Sequence, residues 1–191
     1  MSTQDSRIKI KRSTVSATVP TVAPSTDHTQ PSPAWSATDI YKGELFINQA
    51  DNVVWSRGDD GVFCLSGSAS LDITSAQVLA LNTTPLTIVP AVSGYAIEAV
   101  SVVVSIDYNS AAYATNTNLL ILTDTANNPQ YKQDSLLTQT VDAAWKFPEV
   151  TPSTGTQLIA NKALTVTVVT GDPTAGDSPI KVFVNYRLIP V

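Results

Sequence analysis

The chain is poor in the side chains that build metal and redox chemistry. Its 191 residues hold one histidine (His28), one cysteine (Cys64) and one methionine. A lone cysteine closes no disulfide within the chain, and it reads as a small buried hydrophobe in a strand. One histidine and one distant cysteine build neither a zinc site nor a Cys–His pair. No Gly-x-Ser-x-Gly elbow accompanies His28, which lies in a polar, proline-broken segment and reads as a solvated residue. Gly171 to Asp177 lacks the Lys-Ser/Thr that a phosphate cradle places after its second glycine. Charge is sparse too: 14% of residues are charged and the net charge is −5. Binding a phosphate backbone needs clustered Lys and Arg, so nucleic acid is a poor partner. No run approaches the ~20 apolar residues of a membrane helix, and the N-terminus lacks the apolar core of a signal peptide. The expectation is a protein made in a cytoplasm that uses no cofactor, no metal and no membrane.

What is present is strand-forming sequence behind a polar arm. In residues 1–40, 18 positions are Ser, Thr or Pro, too polar and too interrupted for a packed core. The exception is Arg7, Ile8, Lys9, Ile10, Lys11 and Arg12, where two isoleucines alternate with cations at the period of a strand. A lone strand in solvent is unstable, so this one either pairs with the edge of a partner or is a solvated basic tail. The arm's net charge of +1 contrasts with −4 over residues 67–191, so a partner that prefers cations meets the arm.

Residues 41–66 predict a three-stranded meander. Gly43–Asn48, Val53–Arg57 and Val62–Leu65 are separated by turn residues, with Asp60-Gly61 the strongest hairpin signal because glycine accepts positive φ. Twenty-five residues are too few to bury a core alone. With no disulfide or metal to help, association is the remaining route, and Leu45, Ile47, Trp55 and Phe63 are the expected intersubunit core. Residues 67–80 read as a connector with one helical turn capped by Thr74 or Ser75.

Residues 81–191 read as an all-β domain. Strand-like runs recur at Leu86–Val89, Tyr95–Ile106, Leu119–Leu122, Ala163–Val169 and Ile180–Leu188, with proline and glycine in the gaps. This pattern predicts a jelly-roll-like β-sandwich. Tyr108, Tyr113, Tyr131, Trp145 and Phe147 fall near predicted loops, where they either line a ligand surface for stacking on a glycan, close the ends of the sandwich or pack between subunits. Asp107, Asp124, Asp134, Asp142, Glu149, Asp172 and Asp177 lie mostly in loops, where aspartate favours turns. A paired-carboxylate glycosidase or a calcium loop at Asp172 and Asp177, or at Asp59 and Asp60, is the chemical alternative. The reading is that the protein is not an enzyme.

Two stretches resemble virion proteins of tailed bacteriophages. Ile8 to Thr14, then Val19-Pro20-Thr21 and, after an insertion at Ser25–Thr38, Gly43 to Asn48 with Asp51–Trp55 and Gly61–Leu65, resemble the N-terminal module of phage fibre proteins. In that module a basic opening leads through a Thr/Pro turn into a β-meander. Asn82 to Ala91, with Gly94-Tyr95, Tyr113, Asn118-Leu119, Asn161 to Leu164 and Gly171 through Arg187, are similar to small phage β-sandwich domains, including head fibres of crAss-like podoviruses. The resemblance implies a structural virion protein at the virion surface. It would be a short homotrimeric head fibre or capsid decoration with four parts: an anchoring arm (1–40) that docks on capsid or other virion proteins, a trimerisation meander (41–66), a connector (67–80) and a head (81–191), with host-surface adhesion as a further role. The alternative is a tail fibre, a receptor-binding protein that recognises host polysaccharide.

Overall fold

Alternating burial runs through nearly every segment with strand propensity, and the chain is almost entirely β. A computed structural model gives the fold and describes residues 10–23, 36–122, 129–150 and 157–191. Contacts divide it into two units, Met1–Gly67 and Ser68–Val191.

In the first unit the expected meander forms from β4 (Leu45–Asn48), β5 (Val53–Arg57) and the start of β6 (Val62–Ile73), in consecutive antiparallel pairs. Gly61, at φ 125°, makes the second turn, the conformation glycine adopts without steric cost. The arm differs from expectation. Instead of staying extended, β1 (Lys11–Ser13) pairs in parallel with β4 of the same chain, and β2 (Thr21–Val22) pairs in parallel with β3 (Asp39–Ile40).

Two side chains at the first turn of the meander hold the arm in place. Buried Asn48 donates from Nδ2 to the carbonyls of Val15 (3.1 Å) and Thr18 (3.2 Å). Asp51 accepts from the Ser16 hydroxyl and the Ala17 N–H, both at 2.6 Å. The meander therefore has more chain from which to build a core than its own 25 residues supply. Ala23 and Ile40 from the arm are buried, as are Phe46, Val53, Trp55 and Cys64 from the meander.

The second unit begins within β6, which runs to Ile73 through what the sequence reads as connector. Gly67, Ala69 and the serines Ser66, Ser68 and Ser70 weaken the apolar signal around the connector's start, although the alternation persists in the burial pattern. The helical turn α1 (Ser75–Val78) follows, closed by a capping box: Thr74 Oγ1 accepts from the Gln77 N–H, and Gln77 Oε1 accepts from the Thr74 N–H at 2.9 Å. Seven strands follow: β7 (Leu86–Val89), β8 (Tyr95–Ile106), β9 (Leu119–Leu122), β10 (Pro129–Gln133), β11 (Ala143–Lys146), β12 (Leu164–Val168) and β13 (Ile180–Pro190). They form two sheets, one ordered β6-β13-β8-β11 and the other β10-β9-β12-β7. Val102, Val104, Val182 and Val184 of the first and Leu119, Ile121, Leu164 and Val166 of the second are buried and make the apolar interior.

The central pair is β8 with β13, antiparallel from Ile106 opposite Ile180 to Tyr95 opposite Pro190. On its other side β8 is covered by β11 only from Val103 to Ile106. The rest of that edge is closed by other groups. Phe147 N–H donates to the Val102 carbonyl (2.9 Å) and Tyr131 Oη to the Val100 carbonyl (2.8 Å). The buried amide of Gln130 accepts from the Ala99 N–H (2.7 Å) and donates to the Ile97 carbonyl (2.9 Å), pairing with the backbone as a strand would. An open edge invites pairing with other chains, and here side chains occupy it.

The loop Gly171–Asp177 packs on Tyr113. Gly176 sits at φ +91°, and a Cβ built there would lie 2.3 Å from the Tyr113 ring. Gly94 also has positive φ (+79°) but open space around it. Gly176→Ala is expected to destabilise the chain by roughly 3 kcal/mol, combining overpacking with backbone strain. Gly94→Ala should cost about 1 kcal/mol, from strain alone. Urea denaturation of both variants checks the contrast, and equal costs would mean the loop does not pack on Tyr113.

Candidate interaction surface

The register of the meander decides which side chains are free. Phe46, Trp55 and Cys64 lie opposite one another across β4, β5 and β6 and are buried. Trp55, expected between subunits, is 1% exposed in the single chain and belongs to the core. The neighbouring rows project to the other face. Leu45 lies opposite Ser56, which lies opposite Phe63; Ile47 lies opposite Val54. Leu45 is 37% exposed and Phe63 44%, while Ile47 and Val54 are half-buried. Ile10, next to Lys11 in β1 and 44% exposed, alternates onto the same face as Leu45. One side of this small sheet thus carries Ile10, Leu45, Ile47, Val54 and Phe63, with exposed Arg12, opposite Ile47, and half-buried Ser56 among them. Three of the four residues expected at an intersubunit core lie on it.

Of the expected anchoring residues, Arg7, Ile8 and Lys9 lie outside the described residues, as does His28. Lys11 is engaged within the chain: its ammonium donates to the Asp39 carbonyl, sits 3.5 Å from Glu44 and lies 5.4 Å from the Tyr41 ring centroid. Ile10 and Arg12 are exposed. The partner edge that Lys11 and Arg12 find is β4 of their own chain.

Tyr108, Tyr113, Tyr131 and Trp145 do not form one exposed platform. Tyr113 is 2% exposed, with its hydroxyl donating to the Ser178 carbonyl at 2.6 Å. Burial, then the nearby Asp177 charge, pushes its pKa up to about 12. Tyr131 is 5% exposed, and burial raises its pKa too. Both are structural side chains and not a stacking surface. Tyr108 is half-buried and donates to the Ser110 carbonyl. Trp145 is half-buried on β11, opposite Val104 of β8. Tyr108 and Tyr113 share the segment that Asp177 holds, whereas Tyr131 and Trp145 stand on strands of different sheets. Phe183, which no sequence argument singled out, is the exposed ring of this unit at 42%. Its signal was available, since it is in phase with Lys181, Asn185 and Arg187 on the polar side of β13.

The loop aspartates accept hydrogen bonds from the chain. Asp172 takes the N–H groups of Asn82 (2.8 Å) and Thr83 (3.0 Å) and the Thr83 hydroxyl. Asp177 takes the Ser110 hydroxyl (2.6 Å), the N–H groups of Ala111 (2.9 Å) and Ser110 (3.1 Å), and the Asn109 amide (2.9 Å). Such an arrangement ties loops together and leaves few lone pairs for a cation. Among the described residues no group of three or more His, Cys, Asp or Glu is placed to hold a metal ion.

The Ser110 hydroxyl, followed by the Ala111 and Ser110 N–H groups, holds the Asp177 pKa down, from the ordinary 3.8 to about 2. A depressed carboxylate stabilises the fold above its unfolded pKa and loses that contribution as pH falls through its folded pKa. Asp177→Asn is therefore expected to be less stable than the unaltered chain above pH 3.8, with the gap closing as pH falls toward about 2. Denaturation midpoints of the two proteins across that range check this, and a gap that does not change with pH would contradict it.

No family model matches the chain, and no curated protein matches it. A solved structure titled "Cyanophage Pam1 capsid asymmetric unit" contains a similar chain, at 16% sequence identity and a TM-score of 0.39, with 87% of this chain and 99% of that chain covered.

Proposed function

We propose that the chain is a non-enzymatic structural subunit of a bacteriophage particle. In this reading it is a short homotrimeric head fibre or capsid decoration, anchored through its N-terminal end and projecting a jelly-roll-like β-sandwich head that serves host adhesion. The observation that carries the assembly part is the apolar outer face of the meander sheet. Ile10, Leu45, Ile47, Val54 and Phe63 stand on the side that the chain's own core leaves uncovered. Contact with other copies would remove that surface from water at about 25 cal/mol per Å², and homo-oligomers favour closed symmetry. The resemblance of Ile8–Thr14 and Gly43–Leu65 to a fibre attachment module supports the virion setting and the threefold number. In the anchor, Arg7, Ile8 and Lys9 would reach the particle, while Ile10 stays on the assembly face and Lys11 on Glu44. The alternative of a tail-borne receptor-binding protein shares the assembly and differs in where it sits.

Light scattering on the purified chain is expected to give three times 20.2 kDa, and Leu45→Asp with Phe63→Asp should give the single-chain mass with the fold retained. An unaltered chain that stays single would overturn the trimer. Removing residues 1–9 should leave a trimer that no longer joins particles. Incorporation at normal copy number would overturn the anchor.

A further inference from the structure

The outward face of β6, β13 and β8 carries a groove of about 370 Å³. In this part of the sheet Val182 and Val184 of β13 and Val102 and Val104 of β8 point into the core. The pleat therefore sends the intervening residues out in register, Phe183 opposite Val103 and Asn185 opposite Ser101. Ser68, Ala69 and Ser70 of β6 and Val184 of β13 complete the lining.

The chemistry of the groove is specific. The cations beside it on β13 are each paired: Lys181 with Asp72 at 3.0 Å and Arg187 with Glu98 at 2.7 Å. Phe183 is 42% exposed, with the Lys181 ammonium 5.4 Å from its ring centroid. Asn185 Nδ2 donates to Ser101 Oγ at 3.1 Å, which leaves the amide oxygen and the Ser101 O–H to face the groove. Ser68 and Ser70 are exposed. One accessible aromatic ring, the small aliphatic surfaces of Ala69 and Val103, three hydroxyls, one amide and no unpaired charge make a surface for a ligand with an apolar C–H face, several hydroxyls and no net charge. An anion would find no cation that is not already paired.

We propose that this groove binds a neutral saccharide, with a pyranose stacked on Phe183 and its hydroxyls bonded by Ser68, Ser70, Ser101 and Asn185. The proposal rests on the adhesion part of the functional reading and not on the trimer, since every lining residue belongs to the second unit. It takes a few placed polar groups around an apolar contact, the usual composition of a small-ligand site, on a shallow surface suited to weak, repeated contacts.

The test is saturation-transfer difference NMR on the full-length chain with maltohexaose, cellohexaose and, as the anionic control, hexagalacturonate. Transfer to the C–H protons of at least one neutral hexasaccharide is expected, with none to hexagalacturonate. Phe183→Ala should weaken binding about tenfold, the loss of one ring contact. Asn185→Ala should also weaken it, and both side chains are exposed, so the variants should keep the fold. Absence of transfer to both neutral sugars, equal transfer to the anion, or unchanged binding by Phe183→Ala would overturn the proposal. Light scattering on the same samples reports the mass independently, so a trimer that binds no sugar would sink this inference and the adhesion it serves while leaving the structural-subunit reading standing.

Discussion

A strand sends consecutive side chains to opposite faces, and most of this chain follows from that constraint. In the meander, pairing Phe46 with Trp55 and Cys64 commits those three to the core. The same pairing commits Leu45, Ile47, Val54 and Phe63 to the opposite side. In β13 the same rule buries Val182, Val184, Tyr186 and Leu188 and projects Phe183 among polar neighbours. Moving either register by one residue would exchange the two faces. The apolar surface proposed for assembly and the groove proposed for a sugar are therefore the complements of two cores.

Side chains hold together what the backbone ladders alone leave loose. Asn48 and Asp51 fix the returning arm by taking up the carbonyls and N–H groups of Val15 to Thr18, which have no ladder partner. Gln130 and Tyr131 do the same along the edge of β8. Asp172 and Asp177 clamp loops that lie far apart in sequence. A buried backbone group left unpaired costs about 1–3 kcal/mol, a cost that Gln130 removes at Ile97 and Ala99, whereas the exposed bonds of Asp51 and Asp177 tie segments together in contact with solvent. Asp172 and Asp177, two of the carboxylates that could have been read as metal-binding, are among these side chains.

The sequence made much of the fold legible. Tyr95–Ile106 and Leu119–Leu122 have the bounds the sequence predicts, and the meander appears where Asp60-Gly61 and its apolar flanks place it. These segments carry dense β-branched and aromatic residues or an unambiguous turn. The illegible strands lack that signal. Pro129–Gln133 is polar and is held by buried amides, and Ser66–Ser70 is too small-sided to read as part of a twelve-residue strand. Thr21–Val22 and Asp39–Ile40 are two-residue pairings with no period to detect.

The division for the candidate surfaces is of the same kind. Local composition determined that the protein is β-rich, weakly charged and unable to close a disulfide within one chain, because those properties depend on residue type and near neighbours. Only the tertiary structure decided that the arm packs on its own meander, that Trp55 and Tyr113 are buried, and that Leu45, Phe63 and Phe183 are exposed. Those outcomes depend on which strands become neighbours across long stretches of chain, and alternation within one strand distinguishes its two faces without saying which of them the rest of the chain will cover.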